Sequence, residues 1–442
     1  MVSVLRTEAR RTIAPWLLFV LLAVGLGFFF LFSGPWSRDA VAWDLQWTPS
    51  VLWSRYLLSL LWPIIVCGAA LQGMRDRRSG MEELLTTTPL PVGRRTAKVG
   101  LVMGLAAVVG YLVIVAVGLG QVIANDGRFT FTWVLPLLVG IASVVAGVAV
   151  GLAVGRLLPH PLTAPAAGVV ALVVGVVLQI AGERGSSVEQ AVPNRIALLS
   201  PTITQPSSPL VEPVLAVSIG QLCWLLGLAA TGFLVLAARR WSAVLPAVVG
   251  LAVALPLFPA SAADNFTDST GAGKPVCDGP VCVTTLHADW LSTVAGPGKD
   301  ALARLAKLPS APTHIVETTD SEYVSHGPGD PTALVVRRDS YLLRGTTGRT
   351  LEYEILASAP VCSGAVTDSA ARYVVASWLL GDLVTPPHAD IYGPSMTTSM
   401  RDAWTKLRAL PASEQLTRVA AARQAQQTCS GDPYALLTGA SR

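Results

Sequence analysis

Seven long apolar runs decide most of what this chain can fold into. They cover roughly residues 13–33, 54–73, 99–122, 134–155, 163–182, 214–238 and 243–262. A helix rises about 1.5 Å per residue, so about 20 apolar residues cross a hydrocarbon core about 30 Å thick. Backbone facing lipid must satisfy its own hydrogen bonds, which leaves helices as the solution for runs of this length. Only 14% of the 442 residues are charged, too few for an ordinary soluble protein of this size. The expected fold class is a polytopic α-helical membrane protein with about seven transmembrane helices. Residues 1–262 form a permease-like membrane domain, and residues 263–442 a C-terminal α+β extracytoplasmic domain.

Charge sets the orientation. Arg6, Arg10 and Arg11 precede the first run, and Arg75, Arg77, Arg78, Arg94, Arg95 and Lys98 lie between the second and third. Arg156 follows the fourth run, and Arg239 and Arg240 follow the sixth. The opposite loops hold only Arg38, Arg128, Arg184 and Arg195. Basic loops stay inside, so the N-terminus is expected to be cytoplasmic and, after seven spans, the C-terminal domain extracytoplasmic at the cell membrane. The net charge of +4 comes with no basic block, which leaves the lipid bilayer as partner and gives nucleic acid no support.

The polar island from Met74 to Lys98 stands out between two apolar runs. Its basic residues flank a short possible helix, Gly80 to Leu85, which Pro89 and Pro91 end. A short cytoplasmic helix held by two spans is something a partner can push; the plainer reading is a solvated loop that only sets topology.

Arg77, Arg78, Gly80, Glu82, Leu84, Thr88, Pro89 and Leu90 make the loop resemble the first cytoplasmic loop of bacterial type-2 ABC exporter permeases. In that family a basic segment, a short G-x-E-x-L element and a T-P-L/V ending follow the second span. Leu5 to Trp16 also resembles the family's N-terminal elbow helix. The resemblance covers roughly the first 260 residues and rests on pattern and topology. It implies that this chain is the membrane subunit of an exporter, paired with a second permease half. A separate ABC ATPase subunit would dock on this loop, around Arg77, Arg78, Gly80, Glu82, Glu83, Leu84 and Pro89. The chain itself carries no Walker motif. No enzymatic activity, cofactor or metal is expected of it.

Within the spans, Gly147, Gly151 and Gly155 fall on one helix face, where another helix can approach closely. That helix belongs either to this chain or to a second permease half. Gly100 and Gly104 make a shorter version. Trp36, Trp43, Trp47, Trp53 and Trp62 read as interface anchors. Pro63 should kink the second span. Arg55, at the outer end of that span, is expected to snorkel outward, leaving Gln179 and Gln221 as the main polar side chains at depth. The last run has a second reading: Arg239-Arg240, an apolar core and Pro259-Ala260-Ser261-Ala262 resemble a signal peptide cleaved after Ala262. A slightly short seventh span is preferred.

Beyond the last run, Cys277, Cys282, Cys362 and Cys429 form an even set, which suggests two disulfides in an oxidising compartment. Of the three pairings, Cys277 with Cys282 and Cys362 with Cys429 is adopted. Strands are expected at Val281 to Thr285, Pro312 to Glu317, Ala333 to Val336 and Leu351 to Leu356. Helices are expected at Asp300 to Leu308, Asp368 to Leu383, Thr398 to Leu410 and Ser413 to Cys429. His287, His314, His326 and His388 are scattered and read as surface residues, and Gly296 to Asp300 only superficially suggests a phosphate loop. The rival to the exporter is a membrane-anchored binding or sensor protein whose active part is the C-terminal domain.

Overall fold

The computed structural model describes residues 12–31, 47–78, 92–124, 131–182, 191–202, 210–238, 241–268, 273–319, 330, 332–338, 343, 345–360, 365–387, 389 and 393–439. It divides into two compact units, one of Met1–Pro206 with Val211–Asp268, the other of Ser207–Leu210 with Ser269–Arg442.

The first unit is a helical bundle. Its elements are α1 (Ala14–Leu31), α2 (Trp47–Tyr56), α3 (Leu58–Arg78), α4 (Val92–Ala124), α5 (Val134–Leu157), α6 (Thr163–Ala181), the single turn α7 (Asn194–Ala197), α8 (Leu215–Ala238) and α9 (Leu245–Leu257). Among the described residues, six helices are long and apolar enough to cross a membrane: α1, α3, α4, α5, α6 and α8. On α1 the buried residues Ala14, Leu17, Leu21, Gly25 and Phe29 recur every three or four positions. That stripe lies against α4, where Gly110 meets Leu18 and Leu21. On α6 the apolar face is turned outward instead, with Val169 and Val170 about 60% exposed. Such a surface is costly in water and natural in lipid.

The seventh run departs from the expectation. It begins with a 3-10 turn at Trp241–Val244 and then makes a helix of only 13 residues, about 20 Å long. Pro256 and Pro259 remove amide donors there; Phe258 is extended, and a 3-10 turn at Ala262–Asn265 precedes the next strand. The chain nevertheless returns to where α8 began. Thr231 Oγ1 accepts from the Ala247 amide, Gly227 lies against Pro246, Gly250 against Cys223 and Gly220 against Phe258. At the far end β1 (Val211–Pro213) pairs antiparallel with β2 (Phe266–Asp268), opposing Val211 and Asp268. Residues 258–261, the 3-10 turn at Ala262–Asn265 and β2 cover what the short helix does not. Ala262, the cleavage position of the signal-peptide reading, is buried in this returning segment.

Other details differ too. The chain breaks at Leu57, between α2 and α3, and α3 runs on through Pro63. Trp53 is buried and meets Phe29 edge-on at 4.8 Å, whereas Trp62 is half-buried and donates to the Ser143 carbonyl at 2.9 Å. Trp47 stacks on Trp133 at 5.5 Å. Trp36 and Trp43 lie outside the described residues.

The second unit is α+β. Its sheet has the order β3 (Pro275–Asp278), β4 (Val281–Thr284), β5 (His314–Glu317), β6 (Ala333–Val336); β3 and β4 form an antiparallel hairpin, and β4, β5 and β6 run parallel. The hairpin turns at Gly279, with φ +62°, a conformation that suits glycine. Helix α10 (Leu291–Leu305) crosses between β4 and β5, and α11 (Gly348–Ala357), α12 (Val366–Leu380), α13 (Pro394–Arg408), α14 (Ala412–Thr428) and α15 (Pro433–Thr438) complete the unit.

One expectation fails here for a physical reason. Leu351 to Leu356 is helix α11 and not a strand. It is buried on every side, including Glu352 and Glu354, so it has no polar stripe to reveal a helical period. The Gly296 to Asp300 stretch is the middle of α10. Gly298 lets that helix settle on the sheet: a Cβ there would sit 2.9 Å from Val281 and 3.0 Å from Ile315. Ser413 lies inside α14, which is preceded by Pro411.

Candidate functional site

The chemistry of the first unit gathers around Arg55. At one end of the bundle Thr48 and Thr132 share a hydrogen bond of 2.8 Å, and Thr132 donates to Glu212 at 2.9 Å. Arg55 lies seven residues along α2 from Thr48, about 10 Å into the bundle. It does not snorkel; its side chain has no solvent exposure. Its Nη2 donates to Gln221 Oε1 at 2.9 Å, while Nε and Nη1 have no hydrogen-bond partner. A guanidinium carries five N–H donors, so most of this one is unused. No carboxylate among the described residues pairs with it. Tyr111, on α4, also has its hydroxyl buried without a partner. Gly140 on α5 makes room for that hydroxyl, since a Cβ there would overlap it.

Gln221 joins this cluster to a segment that dips into the bundle. Its Nε2 donates to the Leu198 carbonyl at 3.0 Å. Trp224 Nε1 donates to the Leu199 carbonyl at 3.0 Å; Ser143 Oγ, which donates to the Val139 carbonyl of its own helix at 2.8 Å, lies 3.3 Å from the Pro201 carbonyl. Ser143 lies about 14 Å along α5, so residues 198–202 reach well inside. Leu198, Ser200 and Thr202 are buried. Non-helical backbone at such depth is tolerated only where protein satisfies its carbonyls, as Gln221 and Trp224 do here. The start of the segment is fixed by Asn194, which donates to the carbonyls of Pro259 and Ser261. Arg195, counted in the sequence as a loop cation, donates to the Phe258 carbonyl at 3.1 Å.

The glycine triplet lies on the face of α5 toward α3. A Cβ on Gly147 would meet the Trp62 indole at 2.7 Å, and one on Gly151 the Val66 carbonyl at 2.5 Å; one on Gly155 would overlap the Ala70 carbonyl. Gly104 has no neighbour at such range. Gln179 is buried on α6. Two apolar grooves of about 560 and 440 Å³ flank α6, and Arg55 lines neither.

At the basic end, Arg77 and Arg78 are the last residues of α3, and Arg94, Arg95 and Lys98 belong to the first two turns of α4. Helix α4 has 33 residues, about 50 Å, well beyond a hydrocarbon core. Gly80, Glu82, Glu83, Leu84 and Pro89 lie outside the described residues, as do residues 5–11 of the expected elbow.

In the second unit Cys277 and Cys282, opposed in the β3–β4 hairpin, form a disulfide. Cys429 is also disulfide-bonded, and Cys362 lies outside the described residues. His287 corrects the surface reading. It is 1% exposed and bonded through Nδ1 to Glu317, whose other oxygen accepts from the Thr284 amide at 2.7 Å and hydroxyl at 2.8 Å. The group ties β4 to β5. His314 is half-buried, and His326 and His388 lie outside the described residues. No group of three or more metal-ligating side chains occurs among the described residues.

No family model matches the chain, and no curated protein or solved structure matches it either. Its own residues therefore carry the functional argument. Sequence reasoning missed Arg55 because it stands near the end of an apolar run, where a long cation ordinarily escapes to water. A signal was present: Arg55 and Gln221 sit at similar depths from the same end of their helices, and no acidic residue is near either in sequence.

Proposed function

We propose that this protein is the membrane subunit of an ABC-type exporter, energised by a separate ATPase subunit that docks on residues 74–98. The observation that carries the reading is Arg55. Burying an uncompensated cation in a bundle is expensive, and a bundle serving only as an anchor would be more stable without it. Such a residue is retained where the interior of the bundle does something. The dipping segment 198–202 beside it supports the same reading, because irregular backbone at depth lines sites and paths in membrane proteins.

The rest of the proposal rests on the basic loop and its resemblance to exporter permeases. Helices α3 and α4 run unbroken up to the loop from either side, so a force applied there moves two long rods. Rigid-body shifts of this kind are how such bundles change state. In the proposed topology the loop is cytoplasmic, α9 completes a seventh crossing as the second leg of the α8 hairpin, and the disulfide-bonded unit is extracytoplasmic. The Cys277–Cys282 bridge fits an oxidising compartment. A second permease half completes the path.

The test is a mild-detergent purification of the tagged protein with mass spectrometry of what accompanies it. A stoichiometric Walker-motif ATPase is expected, and Glu82→Lys with Glu83→Lys should remove it while the bundle stays folded. Purification without any ATPase, or an ATPase retained by the double variant, overturns the docking assignment.

A further inference from the structure

We infer that Arg55, with Tyr111 and Gln221, binds an oxyanion, a phosphate or carboxylate group, of the molecule that is carried. The inference rests on the exporter reading for the word carried; the binding itself does not depend on it.

Three observations converge. The guanidinium has no exposure, and no carboxylate among the described residues compensates its charge. Its Nε and Nη1 donors are unused, and a guanidinium fork matches an oxyanion in bidentate geometry. The Tyr111 hydroxyl on α4, buried and unpartnered beside Gly140, supplies a further donor. The cluster is thus rich in donors, and among the described residues the acceptor toward Arg55 is the neutral oxygen of Gln221. A cationic or purely apolar ligand gains nothing from such a site.

Gln221 also indicates how the site opens. Its oxygen holds Arg55, and its nitrogen holds the Leu198 carbonyl of the dipping segment. An oxyanion that takes Arg55 competes for the donor that fixes the Gln221 oxygen. The released amide then holds Leu198 less firmly. Ligand arrival and movement of residues 198–202 are linked through one side chain.

The oxyanion has two sources, the headgroup of an anionic lipid or a small free anion. The experiment follows thermal unfolding of the full-length protein in uncharged detergent. The probes are inorganic phosphate, dihexanoylphosphatidylglycerol, and dihexanoylphosphatidylcholine as the zwitterionic control, with ionic strength held by chloride. A saturable rise in Tm with phosphate assigns a free anion, and a rise with the glycerol lipid alone assigns a headgroup. Arg55→Gln should fold and lose the shift, with apparent affinity at least about tenfold weaker; Arg55→Lys should fall between. No shift with either anionic probe, or a shift that survives in Arg55→Gln, overturns the proposal. If Arg55→Gln does not fold, Tyr111→Phe decides: weaker binding by a folded protein supports the site, and unchanged affinity overturns it. Binding is read without ATP or partner, so a missing ATPase sinks the exporter reading and leaves this result standing.

Discussion

Asn194 and Asn265, 71 positions apart, exchange side-chain amide hydrogen bonds in both directions, at 2.8 and 3.0 Å. Both are buried. The pair joins the start of the dipping segment to the end of the short α9 excursion. Asn194 also covers the carbonyls of Pro259 and Ser261, which α9 leaves behind by stopping early.

Asn194→Ala should therefore cost more than a surface change. It leaves two backbone carbonyls and the Asn265 amide unsatisfied in a buried place, worth about 1–3 kcal/mol each at most. Thermal unfolding of the variant in detergent should show a clear loss, and Asn265→Ala a smaller one, since Asn265 does not reach those carbonyls. Equal losses from the two variants contradict this ranking.

Gly151→Leu should prevent α3 and α5 from closing, because the first added carbon already lies 2.5 Å from the Val66 carbonyl. Backbone cannot yield as a side-chain tip can, so the cost is expected to exceed the about 1–3 kcal/mol usual for overpacking. Gly104→Leu, with nothing within 4 Å, serves as the control and should be nearly neutral. Size-exclusion profiles of the two variants distinguish these outcomes; a monodisperse, stable Gly151→Leu protein sinks the close-packing account.

Glu354, in the second unit, should make stability depend on pH. Burial pushes its carboxyl up to about 7 from 4.5; the Tyr373 hydroxyl and Arg372 oppose that shift. The folded unit then holds a proton that the unfolded chain releases, so stability declines as pH rises from about 4.5 to about 7 and levels off above. The loss is on the order of 3 kcal/mol. Glu354→Gln keeps an oxygen for Tyr373 and cannot ionise. Thermal unfolding of the variant across this range should lack the slope; an unchanged slope assigns it to another group.

The sequence is informative where one face of an element meets one environment. Val281, Ile315 and Val336 are buried strand residues in short segments with clear ends, and they read correctly as strands. The apolar runs were legible because lipid imposes a length. Failure came where an element is surrounded. Helix α11 buries Glu352 and Glu354 beside Leu351 and Ile355, so its pattern mimics alternation. Pro297 and Gly298 look like a loop, and only the sheet beneath α10 explains the glycine. Arg55 and His287 were misplaced for one shared reason. Polar side chains are assigned to water by default, and a fold that supplies a partner such as Glu317, or leaves most of a guanidinium unused, is visible only in three dimensions.

The brevity of α9 bears on how the chain is made. Thirteen residues are too few to enter a bilayer on their own merits. Helix α8 is synthesised first, and its Gly220 and Gly227 present the groove that accepts Phe258 and Pro246. In the proposed topology, insertion of α9 is decided by a neighbour already in place. The whole C-terminal unit follows it across. In that topology, glycines on one helix would govern the export of a domain made later. A reporter fused after Asp268 should stay in the cytoplasm when Gly227 is replaced by leucine; a reporter that still appears outside shows that α9 inserts unaided.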